Sequence, residues 1–141
     1  MATRADFTED EWKAMEKGVT GAGMLVSVGD RDLTDSFGEA SALAKALAVR
    51  REQSPSELVR ELAAVRGTGF GMTASPEKVE QETLASLRLA TETLAAKAPD
   101  EAGAYRQLVL YVAVAVAEAK GGVKPGETAA LDKIREALGS T

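Results

Sequence analysis

Residues 26–47 (VSVGDRDLTDSFGEASALAKAL) and residues 114–135 (VAVAEAKGGVKPGETAALDKIR) align without a gap. The identical pairs are Val26/Val114, Val28/Val116, Gly38/Gly126, Glu39/Glu127, Ala42/Ala130, Leu43/Leu131 and Lys45/Lys133. Each copy consists of an apolar helix end, an acidic residue, a short polar break and a Gly-Glu pair that opens an amphipathic helix. The sequence therefore predicts a repeated helix–turn–helix unit.

The composition of the whole chain favours the same fold class. The chain has 141 residues, is rich in alanine and contains only 4% aromatic residues, which suits closely packed helices. This length is sufficient for one domain with a buried core. We predict a single all-α domain over residues 1–141, a compact bundle of six to seven helices. Its repeat units span about 8–50 and 101–139, and connecting helices occupy 54–98.

Local start and stop signals place the individual helices. Thr8-Glu9-Asp10-Glu11 is a capping-box pattern and predicts a first helix that ends near Val28. Glycines inside this helix at positions 18, 21 and 23 predict that another helix crosses it closely, with a kink in the helix as the alternative. A second helix is predicted at about 35–50, and a third follows Ser54-Pro55 and ends at Gly67. A fourth helix follows Ser75 and ends before Pro99. The fifth covers 105–119 with Asp100 as its cap, and the last begins at Pro125 and ends at Gly139.

Charge and residue types exclude several functional classes. The net charge is −5, and no basic face is visible, so we predict no nucleic-acid partner. The longest apolar run, 108–117, is far shorter than the roughly 20 residues that span a bilayer, and it predicts a buried central helix. The polar N-terminal stretch carries no apolar signal segment, which makes a cytoplasmic location the expectation.

The absence of His and Cys bears directly on enzymatic function. Without them the chain has no imidazole base, no thiolate nucleophile and no zinc–sulfur site. We therefore predict no catalytic residues and a protein that is not an enzyme. The alternative is a hydrolase or transferase in which a carboxylate-bound metal activates water.

The acidic residues of the two turns are the candidate metal ligands. Asp30 and Glu118 are predicted at helix C-terminal ends, where the helix dipole disfavours negative charge. A cation, a cross-repeat salt bridge or a basic neighbour such as Arg31 or Lys120 would offset that cost. Convergence of the two turns would gather hard oxygen ligands for Ca²⁺ or Mg²⁺. The predicted metal-ligating residues are Asp30, Asp32, Asp35, Glu39, Glu118 and Glu127.

These acidic residues also have explanations that need no metal. Glu39 and Glu127 fall in first helical turns, where a carboxylate gains about 0.3–1 kcal/mol from the helix dipole. The run that starts at Asp30 is not an EF-hand, because Asp35 replaces the turn glycine and Ser41 replaces the bidentate glutamate. We therefore predict at most a weak divalent-cation site, with solvated or salt-bridged surface acids as the alternative.

Two further patterns carry a structural and a functional interpretation. The segment Gly67–Gly71 is rich in glycine, but it lacks the Lys-Ser/Thr of a P-loop and follows a helix, so we interpret it as a connector. Tyr105 and Tyr111, with Leu108 and Val112, would pack in the core with the hydroxyls at its rim. Their alternative role is to line the pocket of a small apolar ligand carrier.

The second turn resembles a motif of the TerB-like, tellurite-resistance family. That motif reads roughly Ala-Asp-Gly-x-Ile/Val-Ser-x-x-Glu, and the matching stretch is 119–127, with Gly121, Val123 and Glu127 in place and Lys120 at the Asp position. Residues 29–34 resemble the first copy, with Asp30 at the Asp position. The resemblance implies an all-helical protein with two such repeats, whose acidic turns are associated with metal binding and with stress or tellurite phenotypes.

Together these observations give one functional expectation. We predict a non-enzymatic TerB-like helical protein that acts through association with a protein partner or with further copies of itself. No cofactor is expected beyond a weakly bound Ca²⁺ or Mg²⁺.

Overall fold

The computed structural model describes residues 4–29, 36–54, 57–64, 76–118 and 125–139. Within these ranges the chain forms six α-helices and a short 3-10 turn at Arg4–Asp6, without a strand, which confirms the predicted all-α compact bundle. The helices are α1 (Glu9–Gly29), α2 (Ser36–Gln53), α3 (Glu57–Ala63), α4 (Pro76–Lys97), α5 (Pro99–Glu118) and α6 (Pro125–Ala137).

The first helix begins at the predicted capping box. The Thr8 backbone N–H donates to Glu11 Oε1 at 2.8 Å, and the Glu11 N–H donates to Thr8 Oγ1 at 3.1 Å. Two N–H groups that the helix cannot satisfy internally are thereby paired.

Ion pairs fix the direction of α4 against α1. Lys97 at the end of α4 contacts Glu11 at the start of α1, at 2.6 Å. Glu82, near the start of α4, contacts Lys17 further along α1, also at 2.6 Å. The two helices therefore run antiparallel.

Contacts of α5 show that it runs in the same sense as α1. α5 begins directly after the end of α4, which lies beside the start of α1. Further along, the hydroxyl of Tyr105 in the second turn of α5 donates to the Met15 carbonyl of α1 at 2.9 Å. α6 returns along α5, because Arg106 Nε donates to the carbonyl of Leu138, just after α6, at 3.1 Å. As predicted, the 108–117 stretch is central, but α1 shares that place: α1 and α5 each contact all of the other five helices.

Glycine permits the close crossing of α1 with its neighbours, as predicted. A Cβ built on Gly18 would lie 2.4 Å from Tyr105 Oη and 2.9 Å from Leu87 Cδ2, distances that side chains cannot tolerate without movement. Tyr105 and Leu87 are both fully buried. The crossing therefore depends on the absence of a side chain at position 18.

The start of α5 differs from the prediction. The helix begins at Pro99 rather than near Tyr105, so Asp100 lies inside its first turn and is not its cap. Proline at the first helical position has a preset φ and needs no N–H acceptor. Ala98 alone separates α4 from α5: its N–H donates to Leu94 O at 2.8 Å, and its carbonyl accepts from the Glu101 N–H at 2.9 Å. The two helices thus meet at a one-residue joint.

The last helix ends at the predicted glycine. Gly139 has φ of +70°, a left-handed conformation that glycine adopts without the penalty of a side chain. The N–H groups of Leu138 and Gly139 donate to Ile134 O at 3.0 Å and to Glu136 O at 3.1 Å. These bonds satisfy carbonyls that a helix end otherwise leaves open.

One buried hydroxyl in α4 forms no hydrogen bond with the described residues. Thr83 is fully buried, and its Oγ1 is unpaired within that part of the chain. We expect Thr83→Val to raise the free energy of unfolding by about 1 kcal/mol, because it removes an unsatisfied polar group and keeps the side-chain shape. Chemical denaturation measures the change, with Thr91→Val at a less buried position of α4 as control. A destabilised Thr83→Val protein would contradict the assignment of an unpaired hydroxyl.

No helix in the described part of the chain is both long and apolar enough to cross a membrane.

Candidate functional site

The candidate site predicted from the sequence involves the segments that follow α1 and α5, residues 30–35 and 119–124, which lie outside the described residues. α1 and α5 start at one end of the bundle and have nearly equal lengths, 21 and 20 residues, or about 30 Å each. Their C-terminal ends therefore point towards the opposite end of the bundle. The sequence repeat thus corresponds to two helix pairs, α1–α2 and α5–α6. The first helices of the two pairs, α1 and α5, run in the same direction.

The predicted ligands divide between described and undescribed positions. Asp30, Asp32 and Asp35 lie outside the described residues. Glu39 and Glu127 lie in the first turns of α2 and α6, as expected, and the structure describes only their backbone. Glu118 is the last residue of α5, at the predicted helix end, and its side chain is exposed.

Among the described residues, no three acidic side chains come together as metal ligands. The set proposed from sequence depends on Asp30, Asp32 and Asp35, which lie outside those ranges. The metal site at the turns therefore stays a prediction.

Several acids elsewhere in the fold join helices. Glu11 and Glu82 connect α1 to α4 through Lys97 and Lys17. Glu80 on α4 pairs with Lys133 on α6. The Lys97 ammonium donates a hydrogen bond to Glu11 and lowers the pKa of that carboxyl, and Lys17 lowers the pKa of Glu82 in the same way. These carboxylates are engaged in holding the bundle together.

Glu16 on α1 shows the opposite electrostatic behaviour. Partial burial raises the pKa of its carboxyl, and the nearby Arg4 only partly offsets this effect. The group is far from residues 30–35 in sequence, and it is separated from the end of α1 by between three and four helical turns. It therefore does not add to the candidate site.

Comparison with protein-family models, curated proteins and solved structures gives no match for this chain.

The tyrosines take different roles from those predicted. Tyr105 is completely buried, and its hydroxyl lies inside the core rather than at its rim, because Gly18 leaves room for it against α1. Burial raises the pKa of this hydroxyl. Leu108 and Val112 are also buried in the core. These three side chains pack against protein, as the core interpretation predicted.

Tyr111 takes part in a contact that the sequence did not indicate. The Arg50 guanidinium, in the last turn of α2, lies 4.2 Å from the centroid of the Tyr111 ring, within the range of a cation–π interaction. Arg50 Nε is buried and forms no hydrogen bond within the described ranges. The pair joins α2 to α5, and its residues are 61 positions apart, so periodicity along either helix gave no sign of it.

A second cluster that the sequence did not indicate covers the start of α1. Trp12 is 2% exposed, with the Phe7 ring centroid 6.2 Å from its own and the Arg4 guanidinium 5.6 Å from its ring. The backbone N–H of Arg4 also donates a hydrogen bond to Glu61 Oε2 on α3, at 3.0 Å. We call Arg4, Phe7 and Trp12 the N-terminal cluster. It fastens the segment before α1 to the body of the bundle.

Proposed function

We propose that this protein is a non-enzymatic helical protein of the TerB-like type, which acts through association with other protein molecules. The observation that carries the proposal is that the two repeated helix pairs, α1–α2 and α5–α6, begin with helices that run in the same sense. In this proposal the turns hold at most a weakly bound divalent cation, and the protein resides in the cytoplasm. The resemblance of residues 119–127 to the TerB-like motif adds a role in stress or tellurite response to this proposal.

Residue chemistry supports the non-enzymatic part of the proposal. The chain contains no His and no Cys. The described acids Glu11, Glu80 and Glu82 are each paired with a lysine of another helix, so they serve packing. Glu118 differs from these three acids, because it stands exposed at a helix C-terminus, where the dipole opposes its charge.

The cation part is tested by thermal unfolding with Ca²⁺, Mg²⁺, Mn²⁺ or EDTA. Binding to the folded state alone stabilises it by about 1.4 kcal/mol when the cation is at ten times its Kd. For a domain of this size we expect the Tm to rise by about 3–5 °C. Asp30→Asn and Glu118→Gln should each reduce that rise.

Glu136→Gln provides the matched control, because Glu136 is an exposed acid at the end of α6. It should leave the cation-dependent rise unchanged. Equal Tm values in millimolar cation and in EDTA would remove the cation from the proposal. A rise that survives both Asp30→Asn and Glu118→Gln would place the cation elsewhere.

A further inference from the structure

The side of α4 that faces away from the core carries an unusual set of exposed side chains. The residues Val79, Thr83, Leu87, Ala90 and Leu94 are buried. On the opposite side, the exposed residues recur every three or four positions, so they form one stripe along the helix. We call the part of this stripe between positions 81 and 96 the outer face of α4; its exposed residues are Gln81, Ala85, Arg88, Leu89, Glu92, Ala95 and Ala96.

Leu89 is the feature that first distinguishes this stripe. Its exposed fraction is 45%, and among the described residues it is the large hydrophobic side chain left in solvent. One exposed leucine needs no explanation by itself. The surroundings of Leu89 distinguish it from an isolated exposed leucine, because Arg88 and Glu92 flank it and alanines at 85 and 96 lie one to two turns away.

The charges on the outer face differ from most of the other charges of α4. Lys78, Glu80, Glu82 and Lys97 each form an ion pair. Within the described part of the chain, the side chains of Arg88 and Glu92 form none, although they are four residues apart on one helix. Arg before Glu is the less favourable order for a pair at this spacing. Both charges are therefore available to a partner.

The order of these residues is self-complementary. The midpoint between Arg88 and Glu92 is position 90, and the midpoint between Ala85 and Ala96 falls half a residue later. A twofold axis near this point would place an antiparallel copy of α4 with its Glu92 beside Arg88. The same axis sets Ala85 beside Ala96 of the copy and brings the two Leu89 side chains towards the centre.

Side-chain size fits the same arrangement. Alanines on both sides of the central residues allow two helices to approach closely, and helix axes in contact lie 8–10 Å apart depending on the side chains between them. A twofold contact uses the same patch on both copies, so the patch must complement itself. The outer face meets this requirement in charge and in size.

We infer that the outer face of α4 is a homodimer interface, in which α4 of a second copy packs antiparallel and Arg88 of each copy pairs with Glu92 of the other. This inference rests on the association part of the proposed function and names the partner as a second copy of this chain. An interface of one helix from each copy buries less than about 1,200 Å², the low end for specific contacts. The dimer is therefore weak and forms at micromolar to millimolar concentration.

Sedimentation velocity at protein concentrations up to about 500 µM tests the interface. The wild-type protein should shift from monomer to dimer as its concentration rises. Arg88→Glu and Glu92→Arg should each weaken dimerisation by about tenfold, because two attractive contacts per dimer become repulsive. Circular dichroism confirms that each variant folds, and Arg51→Glu on α2 is the matched control that leaves the dimer intact.

Two rescue measurements make the test specific for pairing between copies. The double variant Arg88→Glu/Glu92→Arg exchanges both charges and should restore the dimer. A mixture of the two single variants should also associate. In that mixture positions 88 and 92 are both acidic in one chain and both basic in the other, so every contact across the interface joins opposite charges.

Three results would overturn the inference. They are a wild-type protein that stays monomeric over the whole concentration range, a dimer that neither single substitution weakens, and single variants that no charge exchange rescues. The cation titration tests the segments that follow α1 and α5, and sedimentation tests the outer face of α4. Absence of a cation effect would therefore leave the dimer result intact, and absence of a dimer would leave the cation result intact.

Discussion

Gly18→Ala is expected to lower the free energy of unfolding by about 2 kcal/mol, although alanine is the better helix former. Alanine improves helix propensity by about 1 kcal/mol. Against this gain, the new Cβ would lie 2.4 Å from Tyr105 Oη and 2.9 Å from Leu87 Cδ2. Overpacking of a buried site costs about 1–3 kcal/mol, and displacing the tyrosine also breaks its hydrogen bond to the Met15 carbonyl.

A double-mutant cycle separates the steric contact from the hydrogen bond. Tyr105→Phe alone should cost about 1 kcal/mol, since it removes the hydroxyl that donates to Met15 O. The Gly18→Ala/Tyr105→Phe protein lacks the tyrosine hydroxyl, so the shorter of the two steric contacts, between the new Cβ and Tyr105 Oη, no longer exists. The double variant should therefore be more stable than the sum of the single effects predicts, by about 1 kcal/mol.

Denaturant unfolding followed by circular dichroism gives all four free energies. Gly103→Ala is the matched control, because Gly103 lies in α5 and a Cβ there meets no atom within 4 Å. That substitution should stabilise the protein. Strict additivity of Gly18→Ala and Tyr105→Phe would show that the two side chains do not meet.

Trp12→Ala is expected to destabilise the protein by about 3–5 kcal/mol, the largest effect of any single substitution considered. Trp12 is almost completely buried and packs against Phe7, with the Arg4 guanidinium over its ring. Its removal would leave a large cavity and would also take away the surface to which the segment before α1 is fastened. A loss of this size approaches the whole stability of many domains.

Trp12→Phe keeps an aromatic ring in the same place and should cost markedly less. Both variants are compared by urea denaturation monitored at the helical circular dichroism band, since the chain has no other tryptophan to follow. Similar losses for Trp12→Phe and Trp12→Ala would indicate that ring packing against Phe7 is not what stabilises this region.

Local signals in the sequence were sufficient for most of the fold. The capping box at Thr8 and the stop at Gly139 depend on bonds within four residues, so the sequence alone predicts them. The sequence pattern predicts a start of α5 that is too late, with Asp100 as the cap. Pro99 starts the helix instead, directly after Ala98.

Contacts between helices were harder to predict than the helices themselves. The glycines in α1 indicated a close crossing, but they did not identify Tyr105 as the residue that crosses, 87 positions away. Arg50 and Tyr111 likewise meet only because α2 packs on α5. For the candidate site, the sequence placed Glu39, Glu118 and Glu127 correctly on their helices, and the ligand role of these residues stays a prediction.

The joint at Ala98 has a consequence for how the bundle loosens. Its backbone N–H closes the last turn of α4, while its carbonyl closes the first turn of α5. A helix end normally frays on its own, one residue at a time. Here the same residue belongs to both ends, so a change in the backbone angles of Ala98 disturbs the last bond of α4 and the first bond of α5 together. We therefore expect the α4–α5 corner to loosen as a unit rather than as two separate helix ends.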